Sequence, residues 1–188
     1  MYYSWEIENS PELQRELVEA SIRAFNEQER YLMENDLNER CICARFAMYL
    51  EYQLHQMGIR DYVVDVEYDR GMAGCEQSRK QLANRKIIVD LIVHKRKLDA
   101  QYGFRNLLCM EMEKSTNPMG CADDEDRLKK MTSLDYGFCY KAGVMLLVNM
   151  ERAELQVKEV FHNGEKVEEW LRSARRPRNF VMDSRCIM

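Results

Sequence analysis

The chain has 188 residues, 46% hydrophobic and 32% charged, with three prolines and eight glycines. That composition excludes long disordered tracts and fits one folded domain over 1–188. A formal charge of −4 excludes a strong overall field for nucleic acid, and no apolar run reaches the roughly 20 residues that a membrane span needs, so a cytoplasmic protein is expected.

In chain order, Ser10-Pro11-Glu12 resembles a helix start, with Ser10 as cap and Pro11 in the first turn. Leu13, Leu17, Ala20 and Ala24 follow at helical spacing and predict a helix to about Met33, an N-terminal helical segment over 11–34. Asp36 with Glu39 three residues later fits a capping box for a second helix ending near Gly58, with Phe46, Leu50 and Leu54 as its buried stripe. From Tyr62 the period becomes two, which predicts a strand to about Tyr68 with Asp65 and Glu67 on its solvated face.

Residues 71–83 are polar, and a nearly continuous apolar run follows from Lys86 to His94, broken only by Asp90. Runs of this kind belong to strands buried on both faces. Asn106–Lys114 reads as a third strand, and Asp123 or Asp124 opens a helix through Leu128, Met131 and Leu134 to about Tyr140, stopped by Gly143. Two strands, 144–150 and 153–161, come next. Asn163-Gly164 marks a turn before a last helix near 165–174.

Other features favour bland readings. The seven cysteines contain no CxxC and no nearby histidine pair, so they read as reduced packing residues. His55, His94 and His162 are scattered and read as surface or structural. Tyr136, Phe138 and Tyr140 read as core packing rather than base stacking. Segment 172–188 carries five arginines against Asp183 and reads first as a solvated basic tail.

The acids inside apolar strands are different. An ionised carboxylate costs several kcal/mol to bury alone, so Asp90 calls for a metal ion or a buried ion pair. Glu111 and Glu113, two apart, share a face of their strand. If the strands are neighbours, three carboxylates converge as hard oxygen ligands of the type that Mg²⁺ or Mn²⁺ take.

The order of elements, a helix with Glu39, a strand, a strand with Asp90, a strand with Glu111-Met112-Glu113-Lys114, a helix and a strand, resembles the PD-(D/E)xK nuclease core. Similar stretches to a small bacterial branch of that superfamily occur at Asn38-Glu39-Arg40, Val64–Arg70, Asp90–Arg96 and Asn106-Leu107-Leu108, and the likeness covers about 36–160. It implies a restriction-endonuclease-like α/β fold, a central mixed sheet flanked by helices. It also implies Mg²⁺- or Mn²⁺-dependent hydrolysis of nucleic acid, DNA above all, with a homodimer admitted.

Carried onto this chain, Asp90 and Glu111 would be metal ligands and Glu39 the helix acid, although Glu39 serves equally well in the capping box. Val89 stands where the motif has proline, and Glu113 where it has lysine. Glu113 would then be a ligand or base. Lys114 faces the other way unless a bulge turns it, so Lys129 or Lys130 of the next helix are the other sources of positive charge. Lys95, Arg96 and Lys97 are candidates for phosphate contact. Without the motif lysine, a binding module that has lost turnover is the alternative to a nuclease, and a structural assembly protein is a distant third.

Overall fold

A computed structural model describes residues 2–68, 70–72, 75–79, 81–82, 85–96, 106–116, 121–168 and 170, the strands between 70 and 86 and Cys121 by backbone alone. Ser10 caps a helix as its sequence suggests, its hydroxyl accepting from the Leu13 amide at 3.2 Å. The long N-terminal helix is divided, however. α1 (Ser4–Asn9) precedes the cap, α2 (Pro11–Gln28) follows it, and Glu29 separates α2 from the short α3 (Arg30–Glu34). Ile7 is buried, and the Gln14 side chain donates to its carbonyl at 2.8 Å, tying α1 to α2.

α4 (Glu39–Gln56) is capped by Asn38, whose side chain accepts from the Cys41 amide at 2.8 Å. This corrects the capping box expected from Asp36. Asp36 lies in the left-handed region (φ 50°) outside the helix, and its carboxylate takes Lys114 Nζ at 2.7 Å. Glu39, in the first helical turn, is thereby released from any capping duty.

Six strands form one mixed sheet in the order β1-β6-β7-β8-β9-β10. β1 is Val63–Val66, β6 Leu91–His94, β7 Asn106–Lys114, β8 Ala142–Asn149, β9 Glu154–His162 and β10 Glu165–Lys166. β7 and β8 run parallel and the other pairs antiparallel. Between β1 and β6 lie two small hairpins, β2 (Arg70–Met72) with β3 (Cys75–Arg79) and β4 (Gln81–Leu82) with β5 (Arg85–Lys86). The chain is therefore α/β with a mixed sheet and flanking helices.

Alternation along each strand divides the core. Leu91, Val93, Met110 and Met112 pack with Leu17, Val18, Phe25, Ile42, Phe46 and Leu50 of α2 and α4. On the other face Ile92, Cys109, Met145 and Phe161 pack with Leu128 and Met131 of α5 (Cys121–Thr132). The Phe25 and Phe46 rings meet edge to face at 5.7 Å. Each such buried side chain contributes about 1.5–3 kcal/mol. The stripe Phe46, Leu50 and Leu54 is fully buried, as its spacing predicts.

Three expectations after residue 120 are corrected. α5 ends at Thr132, followed by a single 3₁₀ turn at Leu134–Tyr136, so the helix stops short of Tyr140. Gly143 is no helix stop but part of β8, where a Cβ would lie 3.2 Å from Thr132 Cγ2 and 3.3 Å from Leu128 Cβ; its bareness lets α5 sit close on the sheet. Glu165–Lys166 pairs with β9 as a strand instead of opening a helix. Lys97 and the basic tail 172–188 lie outside the described residues.

Phe138 and Tyr140 are buried as expected, whereas Tyr136 is exposed. The described cysteines Cys41, Cys43, Cys109 and Cys139 are free. Among the described residues no helix is long and apolar enough to cross a membrane.

Candidate functional site

The predicted strand at 86–94 is regular only over Leu91–His94, with Asp90 just before it. There the Asp90 carbonyl accepts from the Glu67 amide at 3.0 Å, continuing the β1 pairing of Val66 with Leu91. On the other side Leu91 pairs with Met110, so the same register sets Asp90 across from Glu111. Glu67, Asp90 and Glu111 thus form a row across three neighbouring strands.

The row closes on hydrogen bonds. Asp90 Oδ2 accepts from the Met112 amide at 2.8 Å, and Glu111 Oε2 accepts from the Asp90 amide at 3.4 Å. Glu111 is 1% exposed and Glu113 4%, two buried acids on one face of β7. Each has a cation. Arg127 of α5 donates from Nη1 to Glu111 Oε1 at 2.6 Å and to the Ile88 carbonyl at 3.1 Å, and from Nη2 to Asp124 Oδ1 at 3.1 Å. Lys158 Nζ reaches Glu113 Oε2 at 3.2 Å. Glu113 Oε1 is buried with no hydrogen-bond partner among the described residues.

Lys158 gets there through a register shift. Met145 pairs with Glu159 and Leu146 with Val157, leaving Lys158 as the extra residue of a bulge on β9. Bulges re-aim a side chain in this way.

The field of the cluster is negative. Burial raises the Asp90 carboxyl above its ordinary range, and the Glu67 charge adds to this against the Met112 amide, a hydrogen bond with the Glu111 carboxyl and Arg127. Glu111 is held well above its ordinary range by burial and by Asp90, even with Arg127 in contact. Burial likewise raises Asp124, with Asp90 and Glu113 pushing the same way against Arg127. Glu39 is raised by burial, then by Asp90, Asp124 and Glu113, with Lys114 opposing. Four carboxyls are therefore raised together, by burial first and by one another's charge, with Arg127 and Lys114 opposing.

Glu39, Asp90, Glu111 and Glu113 thus belong to one electrostatic neighbourhood, and the sequence marks all four. Lys114 stands apart from Glu111. β7 pairs with β8 in unbroken register through Lys114, and its Nζ lies on Asp36 on the α4 side. Lys129 and Lys130 do not supply the charge either, since they pair with Glu125 at 3.5 Å and Asp126 at 2.5 Å along their own helix. Arg127 does, with Asp124 beside it. Their three-residue spacing is legible in the sequence, whereas the bulge that turns Lys158 is not.

The phosphate candidates Lys95 and Arg96 are engaged elsewhere. Lys95 pairs with Asp61 at 2.5 Å and Glu8 at 3.2 Å over the Tyr62 ring, and Arg96 pairs with Asp65. Asp65 is not a solvated strand residue, because His94 Nε2 also lies 2.8 Å from it. Glu67 is exposed and pairs with Arg40 at 2.6 Å.

As placed, no three His, Cys, Asp or Glu side chains among the described residues are grouped to hold a metal ion. The chemistry of the donors still fits a hard divalent cation: carboxylate oxygens on adjoining strands and a buried oxygen of Glu113 without a hydrogen-bond partner among the described residues. Comparison of the chain with protein-family models, with curated proteins and with solved structures gives no match.

Proposed function

We propose that the chain is a metal-dependent phosphodiester hydrolase with a restriction-endonuclease-like fold of the PD-(D/E)xK type, acting on nucleic acid and above all on DNA. The observation that carries this reading is the pairing of Asp90 with Glu111 across adjoining strands inside a cluster whose carboxyls resist ionisation. Proteins keep such strained charge where it has work to do.

Mg²⁺ or Mn²⁺ held by Asp90 and Glu111, with Glu113 beside them, would lower the pKa of a bound water and neutralise phosphate charge. The chain's own residues prepare this. The Met112 amide fixes Asp90, the Asp90 amide orients Glu111, and burial, with Asp90 next, raises the Glu39 carboxyl at the start of α4 above its ordinary range. The test is cleavage of plasmid and single-stranded DNA with Mg²⁺ or Mn²⁺ by the wild type and Asp90→Ala. Loss of cleavage in the variant is expected, and equal cleavage by both removes Asp90 from the mechanism.

A second reading has its own observation. Glu113 occupies the motif's lysine position and is paired with Lys158, while Arg127 covers Glu111. A nuclease-fold binding module that has lost turnover would look the same. Titration with Mn²⁺ separates the two, since the module gives no saturable heat that depends on Glu111.

A further inference from the structure

We propose that Arg127 is a displaceable internal counter-cation: it holds the site's oxygens together when no divalent ion is bound, then turns to take a phosphate oxygen once one is. The inference rests on the metal-site reading above and assigns to Arg127 the positive charge that the resemblance expects at position 113.

Arg127 takes oxygens from three separate parts of the fold, namely the Ile88 carbonyl ahead of β6, Glu111 on β7 and Asp124 on α5. A hard divalent ion would look for oxygens of the same kind, so guanidinium and metal compete for Glu111. The competition is uneven. Asp124 lies one turn from Arg127 on the same helix and so stays within reach when the guanidinium leaves Glu111, whereas Glu111 belongs to the sheet. Losing Glu111 therefore costs Arg127 one partner, not its anchorage.

The side chain also has room to move. The Arg127 side chain is 29% exposed and the Glu111 side chain beneath it is buried, so the guanidinium forms the outer layer over a buried oxygen. Its planar fork suits phosphate, to which it can present two donors at once. Lys158 is placed differently, because its partner Glu113 is a neighbour of the cluster that Arg127 does not touch. Lys114 and Glu39 face the cluster from the α4 side and leave Arg127 as the cation on Glu111.

The experiment is calorimetric titration of the full chain with MnCl₂, and of the Mn²⁺-loaded chain with inorganic phosphate, comparing wild type, Arg127→Met and Arg127→Gln. Glutamine is included in case methionine prevents folding, which circular dichroism checks. Reciprocal coupling between competing cations predicts Mn²⁺ binding on the order of tenfold tighter without the guanidinium. Phosphate binding to the loaded variants should fall by a similar factor. A residue with a merely structural role would not tighten metal binding. Mn²⁺ binding equal to or weaker than wild type overturns the role of Arg127 and leaves the metal site standing. Absence of saturable heat in all three proteins overturns the metal site and this inference with it.

Discussion

Replacing Asp90 with asparagine removes one negative charge from the acid cluster and keeps an oxygen that can accept from the Met112 amide, now at 2.8 Å. Asp90 is among the causes that raise Glu39, Glu111 and Asp124, after burial in each case, so the substitution relieves three neighbours at once. Because Asp90 itself is raised above its ordinary 3.8, the folded chain binds its proton more tightly than the unfolded chain does. Stability is therefore lost as pH climbs from 3.8 through the raised value, and above that value the cost is complete.

Asp90→Asn should recover that cost at pH 8 and gain nothing well below pH 4. Relief of functional charge commonly yields about 0.5–2 kcal/mol. At roughly 2–4 °C per kcal/mol for a chain of this size, the melting temperature should rise by about 1–8 °C. Asp90→Ala removes the same charge but strands the Met112 amide, which costs about 1–3 kcal/mol, so it should melt below the asparagine variant. Thermal unfolding by circular dichroism at pH 4 and pH 8 without divalent ions measures both. An asparagine variant that melts lower than wild type at pH 8, or whose gain is the same at both pH values, refutes the account of the cluster as strained charge.

Lys158→Met should destabilise by about 1–3 kcal/mol in urea unfolding, toward the low end of buried-pair disruption because Lys158 is 32% exposed, and Glu113→Leu added to it should recover much of the loss. Gly143→Ala should cost about 1–3 kcal/mol by forcing α5 off the sheet, with a measurable drop in melting temperature; unchanged stability would mean that Thr132 and Leu128 yield freely. Asp65 is held below its ordinary range because the Arg96 and His94 hydrogen bonds outweigh its burial. Its contribution is present above about pH 4 and lost as pH falls through the lowered value, so Asp65→Asn should melt lower than wild type at pH 6 and converge with it in acid.

The sheet was readable because its strands alternate or run apolar, and Asp90, Glu111 and Glu113 stood out because acids interrupt those runs. Glu39 came from the order of elements. What escaped has local causes. Asp36 carries the composition of a helix cap but sits at φ 50°, so Asn38 takes the role. Gly143 looks like a stop signal because a glycine required for close helix packing is written with the same letter. Lys95 and Arg96 resemble a free basic strip, and only the folded chain brings Glu8, Asp61 and Asp65 against them. Arg127 is less conspicuous than Lys129 and Lys130, although its three-residue spacing from Asp124 marks the pair on one helix.

The irregular count on β9 makes the electrostatic balance of the cluster sensitive to chain length as well as to residue type. Removing one amino acid, Lys158 itself, would let Glu159 and Val157 continue an even ladder with Met145 and Leu146, and would delete the ammonium group in the same stroke. A gap of one codon would thus take the cation off Glu113 and straighten β9 together, whereas Lys158→Met takes the cation and keeps the bulge.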